Sequence, residues 1–405
     1  MYLNHLSLSN FRSFSRLELA FPREILLLVG GNAEGKTSLL ESIYLLSTMT
    51  SFYAGSDRQL INFTLPETDV VVGRVVGDFT RRDSTHRIEV RLIMEPNGAN
   101  GSTRFRKEAL VDGVRRKLSE AVGMFNAVNF MPQMARIIEE SPADRRRYLD
   151  MLISQVSPRY LKHLNDYNQT LSQRNALLKQ LAERGGDQGQ LTVWDDVLAR
   201  HASMIMYERI QTLQLFGEEA RQIYLKLTNG HEDLRFDYQP AYEPLQLHNY
   251  HSGIPESVVM DRSHLSKEEL ESGILEALKQ RRREEIARGV TTIGPHRDEL
   301  RFLSNNVDLG NYGSRGQGRT ALLAMKLAEV NWLHQQTGEW PVLLLDEIMS
   351  ELDIQRRRDL LAALSHCEQA ILTSTDLEMF DPTFVNSRPI WRADAGRIIF
   401  ESTGD

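Results

Sequence analysis

The chain has 405 residues, of which 41% are hydrophobic and 25% are charged, so it has room for two or more globular domains. Its single cysteine, Cys367, excludes an intramolecular disulfide and a cysteine-rich metal site, and its net charge of −7 provides no global attraction for nucleic acid. With neither a signal-peptide core at the start nor an apolar run near the roughly 18 residues of a membrane span, the sequence predicts a cytoplasmic protein without a membrane partner.

The first 50 residues predict two strands, then a buried strand, a glycine-rich loop and a helix. Residues 3–8 and 17–21 alternate apolar and polar side chains, and the turn NFRSF joins them. The apolar run EILLLVG is typical of a buried central strand, and SLLESIYLLS has helical periodicity. Between them GGNAEGKT, residues 30–37, satisfies the phosphate-loop pattern G-x-x-x-x-G-K-[ST]; the alternative, a chance glycine-rich turn, does not account for the strand and helix on either side.

Each residue type in this loop has a physical reason in a nucleotide-binding site. Backbone N–H groups would surround the phosphates of ATP, Lys36 would reach the β- and γ-phosphates, and the Thr37 hydroxyl would ligate Mg²⁺. The predicted ATP-binding residues are Gly30, Gly31, Asn32, Ala33, Glu34, Gly35, Lys36 and Thr37.

Beyond the loop, the chain is first β-rich and then helical. Three strands are predicted at 70–77, 86–94 and 108–116. Near residue 134 the pattern changes, and Ser141 and Pro142 are favourable as N-cap and first residue of a helix.

Two long helices are predicted around a short turn at 185–190. The apolar rhythm of the first continues to Leu181 and is broken only by Arg174; the second runs from about Trp194 to Leu227. They would form an antiparallel hairpin roughly 30–50 Å long. The pattern leaves open whether this is an ordinary helical subdomain or a coiled-coil arm. A further charged helix is predicted at 264–288.

The C-terminal part contains an acidic strand end and a second glycine-rich loop. VLLLDE, residues 342–347, is a Walker B pattern in which Asp346 would hold the Mg²⁺ shell and Glu347 is a candidate general base. A strand that ends in acids by chance is the alternative. GSRGQG, residues 313–318, precedes a helix and would offer N–H groups to an anion, or it is simply a helix N-cap.

These motifs together resemble the ATP-binding-cassette set, with SRGQ as the signature loop and SELD, residues 350–353, as the D-loop. Within that class the chain resembles the structural-maintenance-of-chromosomes branch, and within this branch the RecF family. The pieces that carry the resemblance are LSLSNFRSF, GGNAEGKTSLLESIYLL, SPADRRRYLD, TTIGPHRDEL, YGSRGQGRTALLAMKLAE and LLLDEIMSELD. The resemblance implies an α/β fold: an ABC-type P-loop ATPase head, residues 1–135 and 289–405, split by an inserted, mainly helical domain, residues 136–288, with a short antiparallel helical hairpin.

The resemblance also implies roles for individual residues. Two heads would dimerise around two ATP molecules, so that Ser314, Gly316 and Gln317 contact the γ-phosphate held by the partner's Lys36. Asp353 would couple the two sites. Gln133, in NFMPQM, lies at the position of a metal-sensing Q-loop, and Arg12 resembles an arginine that lies near the nucleotide. The segment TSTD at the switch position has no histidine, which agrees with slow ATP turnover.

The implied function is an ATP-dependent DNA clamp of recombinational repair and replication. It would act at single-strand gaps or junctions, help RecO and RecR load RecA, take part in SOS induction, and work as a weak DNA-dependent ATPase that serves as a switch. Three basic runs, 81–82, 104–107 and 115–117, could together line a groove for the DNA backbone, or they are solvated surface charge. The alternatives are an ABC-type ATPase scaffold of chromosome organisation or phage defence, and a transporter ATPase, which the NFRSF start and helical insertion disfavour.

Overall fold

The computed structural model of the protein describes residues 1–51, 53–65, 70–97, 102–139, 141–244, 259–394 and 396–401. The chain divides into two compact units, of which the first comprises residues 1–134 and 329–405 and the second residues 135–328. The first unit therefore combines both ends of the chain. The domain limits predicted from the sequence stay a prediction, because the second unit also takes in the signature loop.

Strands and helices alternate along the first unit, whereas the second is mainly helical. The strands are β1 (Tyr2–Phe11), β2 (Phe14–Ala20), β3 (Ile25–Val29), β4 (Val71–Arg81), β5 (Ser84–Asn97), β6 (Ser102–Val111), β7 (Val114–Arg116), β8 (Ala127–Phe130), β9 (Leu234–Gln239), β10 (Glu299–Ser304), β11 (Val307–Asp308), β12 (Val342–Asp346), β13 (Ala370–Ser374), β14 (Ile390–Asp394) and β15 (Arg397–Glu401). The helices are α1 (Lys36–Thr48), α2 (Leu118–Ala121), α3 (Arg136–Glu139), α4 (Pro142–Ser154), α5 (Pro158–Arg184), α6 (Leu191–Leu227), α7 (Lys267–Arg288), α8 (Leu309–Tyr312), α9 (Arg315–Thr337), α10 (Ile354–Leu364) and α11 (Pro382–Asn386). Among the described residues, none of these helices is both long enough and apolar enough to cross a bilayer.

A six-stranded, mainly parallel sheet forms the centre of the first unit, in the order β15-β14-β3-β13-β12-β8. Only β15 runs antiparallel to its neighbour. Strands β3, β12 and β13 are buried along their whole length, which is why their sequences are continuous apolar runs. Because parallel strands end at the same edge of a sheet, the loop after β3 and the acids after β12 meet there.

The second sheet of this unit is antiparallel, in the order β2-β1-β4-β5-β6-β7. One face packs against α1, and Gly77 on β4 allows this close approach: a Cβ there would lie 2.5 Å from the Leu46 side chain. The single strand predicted at 108–116 is wrong. Asp112 and Gly113 have φ values of 50° and 78° and form the turn between β6 and β7, as Asp-Gly pairs do in two-residue hairpins.

The long helices of the second unit form a three-helix bundle beside a small sheet of order β11-β10-β9. Near the turn between α5 and α6, an apolar cluster also receives Ile286 of α7; its members are Leu177, Leu178, Leu181, Leu191 and Trp194. Because α7 packs along both helices, the interpretation as an ordinary helical subdomain fits better than a two-stranded coiled coil. Helix α6 has 37 residues and is therefore about 55 Å long, somewhat more than expected.

Arg174, which interrupts the apolar rhythm of α5, is fully buried and bonds to three segments of the second unit. Its Nε donates to Asp195 at 2.8 Å, its Nη1 to the Thr291 hydroxyl at 2.7 Å and its Nη2 to Glu285 at 2.7 Å. Asp195 and Glu285 are also buried, with 2% and 0% of their surface exposed. The break in the pattern is therefore a buried ionic link between α5, α6 and α7, with a further hydrogen bond to the segment that follows α7.

The stretch GPHRD places the buried Asp298 and the partly buried His296 in the same unit. Asp298 accepts hydrogen bonds from Arg209 and Tyr238, and burial raises the pKa of its carboxyl group. His296 is neutral, because its Nε2–H donates to a backbone carbonyl at 3.2 Å and its Nδ1 accepts from the Tyr167 hydroxyl at 2.5 Å. His296 and Asp298 therefore stabilise the second unit.

We expect Arg174→Ala to lower the free energy of unfolding by about 3–5 kcal/mol, because the buried Glu285 carboxylate loses the cation it pairs with and Asp195 keeps only Arg282. The matched control is Arg281→Ala, which removes an exposed pair with Glu284 and should cost less than about 1 kcal/mol. Urea titrations monitored by circular dichroism measure both values. Equal losses in the two variants would show that the buried link is not stabilising.

We also expect the second unit to lose stability in acid because of His296. Burial lowers the pKa of its imidazole from 6.5 to about 4, so between these values the unfolded chain binds a proton that the folded chain excludes. This contribution is complete above pH 6.5 and decreases by about 3 kcal/mol as the pH falls to 4. Unfolding titrations across this range should show a shallower pH dependence for His296→Gln; identical slopes would contradict the assignment.

Candidate nucleotide-binding site

The glycine-rich loop of the first unit connects the end of β3 to the start of α1. Gly35 has a φ of 98°, in the left-handed region that residues with a Cβ rarely adopt, and it turns the chain into the helix. The first N–H groups of a helix have no acceptor inside it, and the helix dipole adds partial positive charge at this end. The loop and the start of α1 therefore form a suitable site for phosphate.

Lys36 is directed back over this loop. Its ammonium group donates to the carbonyl oxygens of Gly30 at 2.6 Å and Gly31 at 2.8 Å, and it lies 3.1 Å from Glu347 Oε1. The side chain is 4% exposed, so these three partners take the place of water around the ammonium group. A phosphate oxygen would replace neutral carbonyl acceptors by a charged one, which forms a stronger hydrogen bond.

The carboxylate of Asp346, at the end of β12, accepts hydrogen bonds from three hydroxyl groups. Thr37 donates to Oδ2 at 2.8 Å, Tyr53 donates to the same oxygen at 2.7 Å, and Thr373 of β13 donates to Oδ1 at 2.7 Å. Oxygen ligands suit Mg²⁺, which proteins often hold through one or two carboxylates together with substrate phosphates. Thr37 and Asp346 fit this chemistry. The described residues contain no cluster of three or more His, Cys, Asp or Glu that would hold a metal ion by itself.

Tyr53 is a residue that sequence reasoning missed. The sequence around it, SFYAGSD, matches no motif, so only the fold reveals its contact with Asp346. Burial and the neighbouring carboxylate raise the pKa of its phenol far above the usual range, and its hydroxyl therefore remains a hydrogen-bond donor.

Glu347 has a backbone conformation that its neighbours hold in place. Its φ is 51°, and its N–H donates to the Thr373 hydroxyl at 3.0 Å. Residues other than glycine in this region are uncommon and cluster at functional sites. The side chain is 36% exposed and contacts Lys36, so water can reach the carboxylate beside the loop.

Arg12 lies between β1 and β2 and binds α1, the helix that begins with Lys36 and Thr37. Its Nε and Nη2 donate to the two oxygens of Glu41 at 2.7 and 2.8 Å. Ser51 donates to the same carboxylate. The structure thus gives Arg12 a defined place on α1, and its contact with a nucleotide stays a prediction.

The signature loop, in the second unit, begins α9 with a reciprocal cap. The Gln317 N–H donates to Ser314 Oγ at 3.2 Å, and the Ser314 N–H donates to Gln317 Oε1 at 3.0 Å, which is a capping box. Gln317 Nε2 also donates to Glu232 at 3.2 Å. The interpretation as an N-cap is therefore correct for the isolated chain, and the binding of Ser314, Gly316 and Gln317 to a partner's phosphate stays a prediction.

Comparisons with known proteins agree with this geometry. The profile of the family described as RecF/RecN/SMC N terminal domain matches residues 2–388. The DNA replication and repair protein RecF of Lacticaseibacillus paracasei is 36% identical over 400 residues, which are 98% of this chain and 99% of that protein. The chain belongs to the RecF family. The RecF of Herpetosiphon aurantiacus is 33% identical over 410 residues, with 98% and 99% of the two chains covered.

Solved structures of the RecF family have the same fold. The chain matches a structure of the recombination mediator RecF with ATP, described as part of the RecFOR pathway, with a TM-score of 0.82 and 29% identity over 99% of both chains. The Smc head of Pyrococcus furiosus, with a TM-score of 0.50 and 16% identity over 99% of this chain and 96% of that one, shares the fold alone. The predicted fold class, an α/β head of the ABC-type ATPases, is confirmed.

Two other positions expected from the RecF family are Asp353 and Gln133. Asp353 is the N-cap of α10, where its carboxylate accepts from the Arg356 N–H at 2.9 Å and pairs with the Arg356 guanidinium at 2.7 Å. Its coupling role across a dimer stays a prediction. The side chain of Gln133 lies outside the described residues, so its metal-sensing role also stays a prediction.

Some members of the three basic runs of this RecF-family chain bind the protein itself. Arg81 donates to backbone carbonyls at the segment after α2, and Lys107 pairs with Asp57 at 2.6 Å. Because neighbouring residues of a strand point to opposite faces, each run is divided between two faces. The expectation that the three runs together line a groove for DNA stays a prediction.

A different basic surface lies on the face of the antiparallel sheet opposite α1. Arg74 and Arg91 are paired across β4 and β5, and both bind Glu89, whose pKa is lowered to about 2 by the Arg74 hydrogen bond. We call this surface the arginine face; its cations are Arg74, Arg91, Arg106 and Arg115 and its acids are Glu89, Glu95 and Glu108. Sequence reasoning missed Arg74 and Arg91, although strand alternation could have found them.

We expect Ser314→Ala to lower the free energy of unfolding by about 1 kcal/mol, because the Gln317 N–H loses its acceptor. Aspartate is an equally favourable N-cap, so Ser314→Asp should retain the wild-type stability. Denaturant titrations of the nucleotide-free protein compare the three chains. An equal loss in both variants would show that the hydroxyl has a role other than capping.

Proposed function

We propose that this chain is an ATP-dependent DNA-binding protein of recombinational repair and replication, whose ATP-bound form is a dimer. The observation that carries the proposal is the meeting of Lys36, Thr37, Asp346 and Glu347 at one edge of the parallel sheet. The names of its relatives support it: they are DNA replication and repair proteins, and solved relatives hold ATP within the RecFOR pathway.

The chain's own residues can perform each step of ATP hydrolysis. The loop N–H groups and Lys36 bind the phosphates, and Thr37 and Asp346 would hold Mg²⁺, which supplies charge neutralisation at the transferred phosphoryl group. When Lys36 turns to a phosphate it releases Glu347, whose carboxylate is then free to take a proton from the attacking water. The ion pair with Lys36 therefore occupies the Glu347 carboxylate until a nucleotide binds.

Dimerisation would complete this site. The γ-phosphate needs donors on the side away from the loop, and the exposed start of α9 offers N–H groups and a positive dipole end. Ser314, Gly316 and Gln317 of one copy would thus contact ATP bound by the other. Asp353 would couple the two nucleotide sites of the dimer. Hydrolysis removes the shared phosphate and reopens the dimer.

The DNA contact would be independent of sequence. The arginine face is rich in cations although the net charge of the whole chain is negative. Each of its arginines is paired with a carboxylate, so a DNA phosphate must compete with Glu89, Glu95 and Glu108. Such binding weakens with salt and suits a protein that recognises gaps or junctions by shape. Cooperation with RecO and RecR in loading RecA, and a part in SOS induction, complete the proposal.

Three substitutions test this mechanism. Glu347→Gln should retain ATP and accumulate an ATP-dependent dimer with raised DNA affinity, because the base is lost while binding remains. Lys36→Met should lose ATP binding. Ser314→Arg should retain ATP binding in the monomer and lose the dimer. Light scattering measures the dimer, fluorescent nucleotide the ATP affinity, and fluorescence anisotropy the affinity for gapped DNA.

Ser314→Asp is the matched control for the role in trans. It preserves the cap of α9 but places a negative charge toward the expected phosphate, so it should also abolish the dimer. If Ser314→Asp dimerised like the wild type, the trans contact would be wrong. If ATP changed neither dimerisation nor DNA affinity in the wild type, the scaffold function through protein partners would replace the clamp.

A further inference from the structure

A chain of hydrogen bonds reaches the Asp346 carboxylate from the side of the antiparallel sheet. Arg12 binds Glu41, and Ser51 donates to Glu41. The Ser51 oxygen accepts the N–H of Tyr53 at 3.0 Å, and the Tyr53 hydroxyl donates to Asp346 Oδ2 at 2.7 Å. The short segment after α1 is therefore fixed at Ser51, and its tyrosine is aimed at the acid that ends β12.

We propose that Tyr53 is a positioning residue for the divalent cation of the nucleotide site, acting through its hydrogen bond to Asp346. This inference rests on the proposed ATP-binding function and adds to it a residue outside the motifs. Tyr53 itself does not contact the ion or the nucleotide; it sets the orientation of the carboxylate that does.

The geometry of the carboxylate requires such a partner. Oδ2 accepts from both Thr37 and Tyr53, whereas Oδ1 accepts from Thr373. When the Thr37 hydroxyl turns toward a cation, Oδ2 keeps only the tyrosine as a donor. A carboxylate fixed on both oxygens cannot rotate, and hydrogen bonds from the shell outside the ligands are known to control metal affinity in this way.

The alternative role of Tyr53 is to fill space in the interior. A phenylalanine fills the same space, so Tyr53→Phe separates the two roles by removing one oxygen atom. Its hydrogen bond joins a half-buried phenol to a charged acceptor that is 4% exposed, and such bonds are stronger than neutral ones at the surface.

Titrating Mg²⁺ at a fixed concentration of a fluorescent, non-hydrolysable ATP analogue measures this effect without turnover. We expect Tyr53→Phe to raise the Mg²⁺ concentration for half-maximal binding about tenfold and to leave nucleotide affinity in EDTA unchanged. Ser51→Ala should shift it in the same direction by less, because it loosens the segment but keeps the hydroxyl. This second variant tests the proposal if Tyr53→Phe fails to fold.

Two controls make the outcome decisive. Tyr2→Phe removes the same hydroxyl from a tyrosine on β1 whose ring lies under Arg23, and it should behave as the wild type. In the Asp346→Ala background, Tyr53→Phe should have no additional effect, because its route to the cation is already absent. Unchanged Mg²⁺ dependence in both Tyr53→Phe and Ser51→Ala would overturn the positioning role. Failure of the wild type to bind nucleotide with Mg²⁺ would instead overturn the proposed function.

Discussion

The hydrogen bonds of the Asp346 carboxylate connect separate segments of the first unit. It joins Thr37 of α1, Thr373 of β13 and the Tyr53 segment, which are far apart in sequence and meet only when the parallel sheet has formed. Similar long-range bonds hold the sheet elsewhere: the Gln369 side chain bonds both the N–H and the carbonyl of Leu3, at 2.8 and 2.9 Å. Since loop closure over such separations costs entropy, the sheet and the site should form together, late in folding.

Buried cationic side chains have two different kinds of partner in this chain. Arg174 and Arg209 have carboxylates and carbonyls as fixed partners, and these bonds tie helices to loops in the second unit. Lys36 is equally buried, yet two of its partners are neutral carbonyls and the third, Glu347, is one-third exposed. A phosphate can therefore displace the partners of Lys36 at a low cost in free energy, whereas the carboxylates that bind Arg174 are themselves buried and charged. Replaceable partners distinguish a binding charge from a structural one.

The parts of the molecule that sequence alone predicted are those whose signals are local. The phosphate loop, the Walker B strand and the helix start at Ser141 and Pro142 each need only a few neighbouring residues. Tyr53 was missed because its partner, Asp346, is remote in sequence, and the turn at Asp112 was missed because three apolar residues before it suggested one continuous strand. The break at Arg174 was visible, but its meaning was not, since Asp195 and Glu285 lie on other helices. The arginine face was missed for a related reason: a run of cations along a strand is divided between two faces, and a shared face requires every second residue.

The cap at the signature loop does not compete with a role toward phosphate. Ser314 and Gln317 satisfy each other's N–H groups through side chains, which leaves the shape of the helix start independent of any ligand. Gln317 also reaches Glu232, whose carboxylate accepts from Ser304 at the end of β10. The start of α9 is therefore rigid before a partner arrives, so ordering it costs little entropy on binding. Under the proposed function, a loop prepared in this way would meet ATP when a second copy brings the phosphate to it.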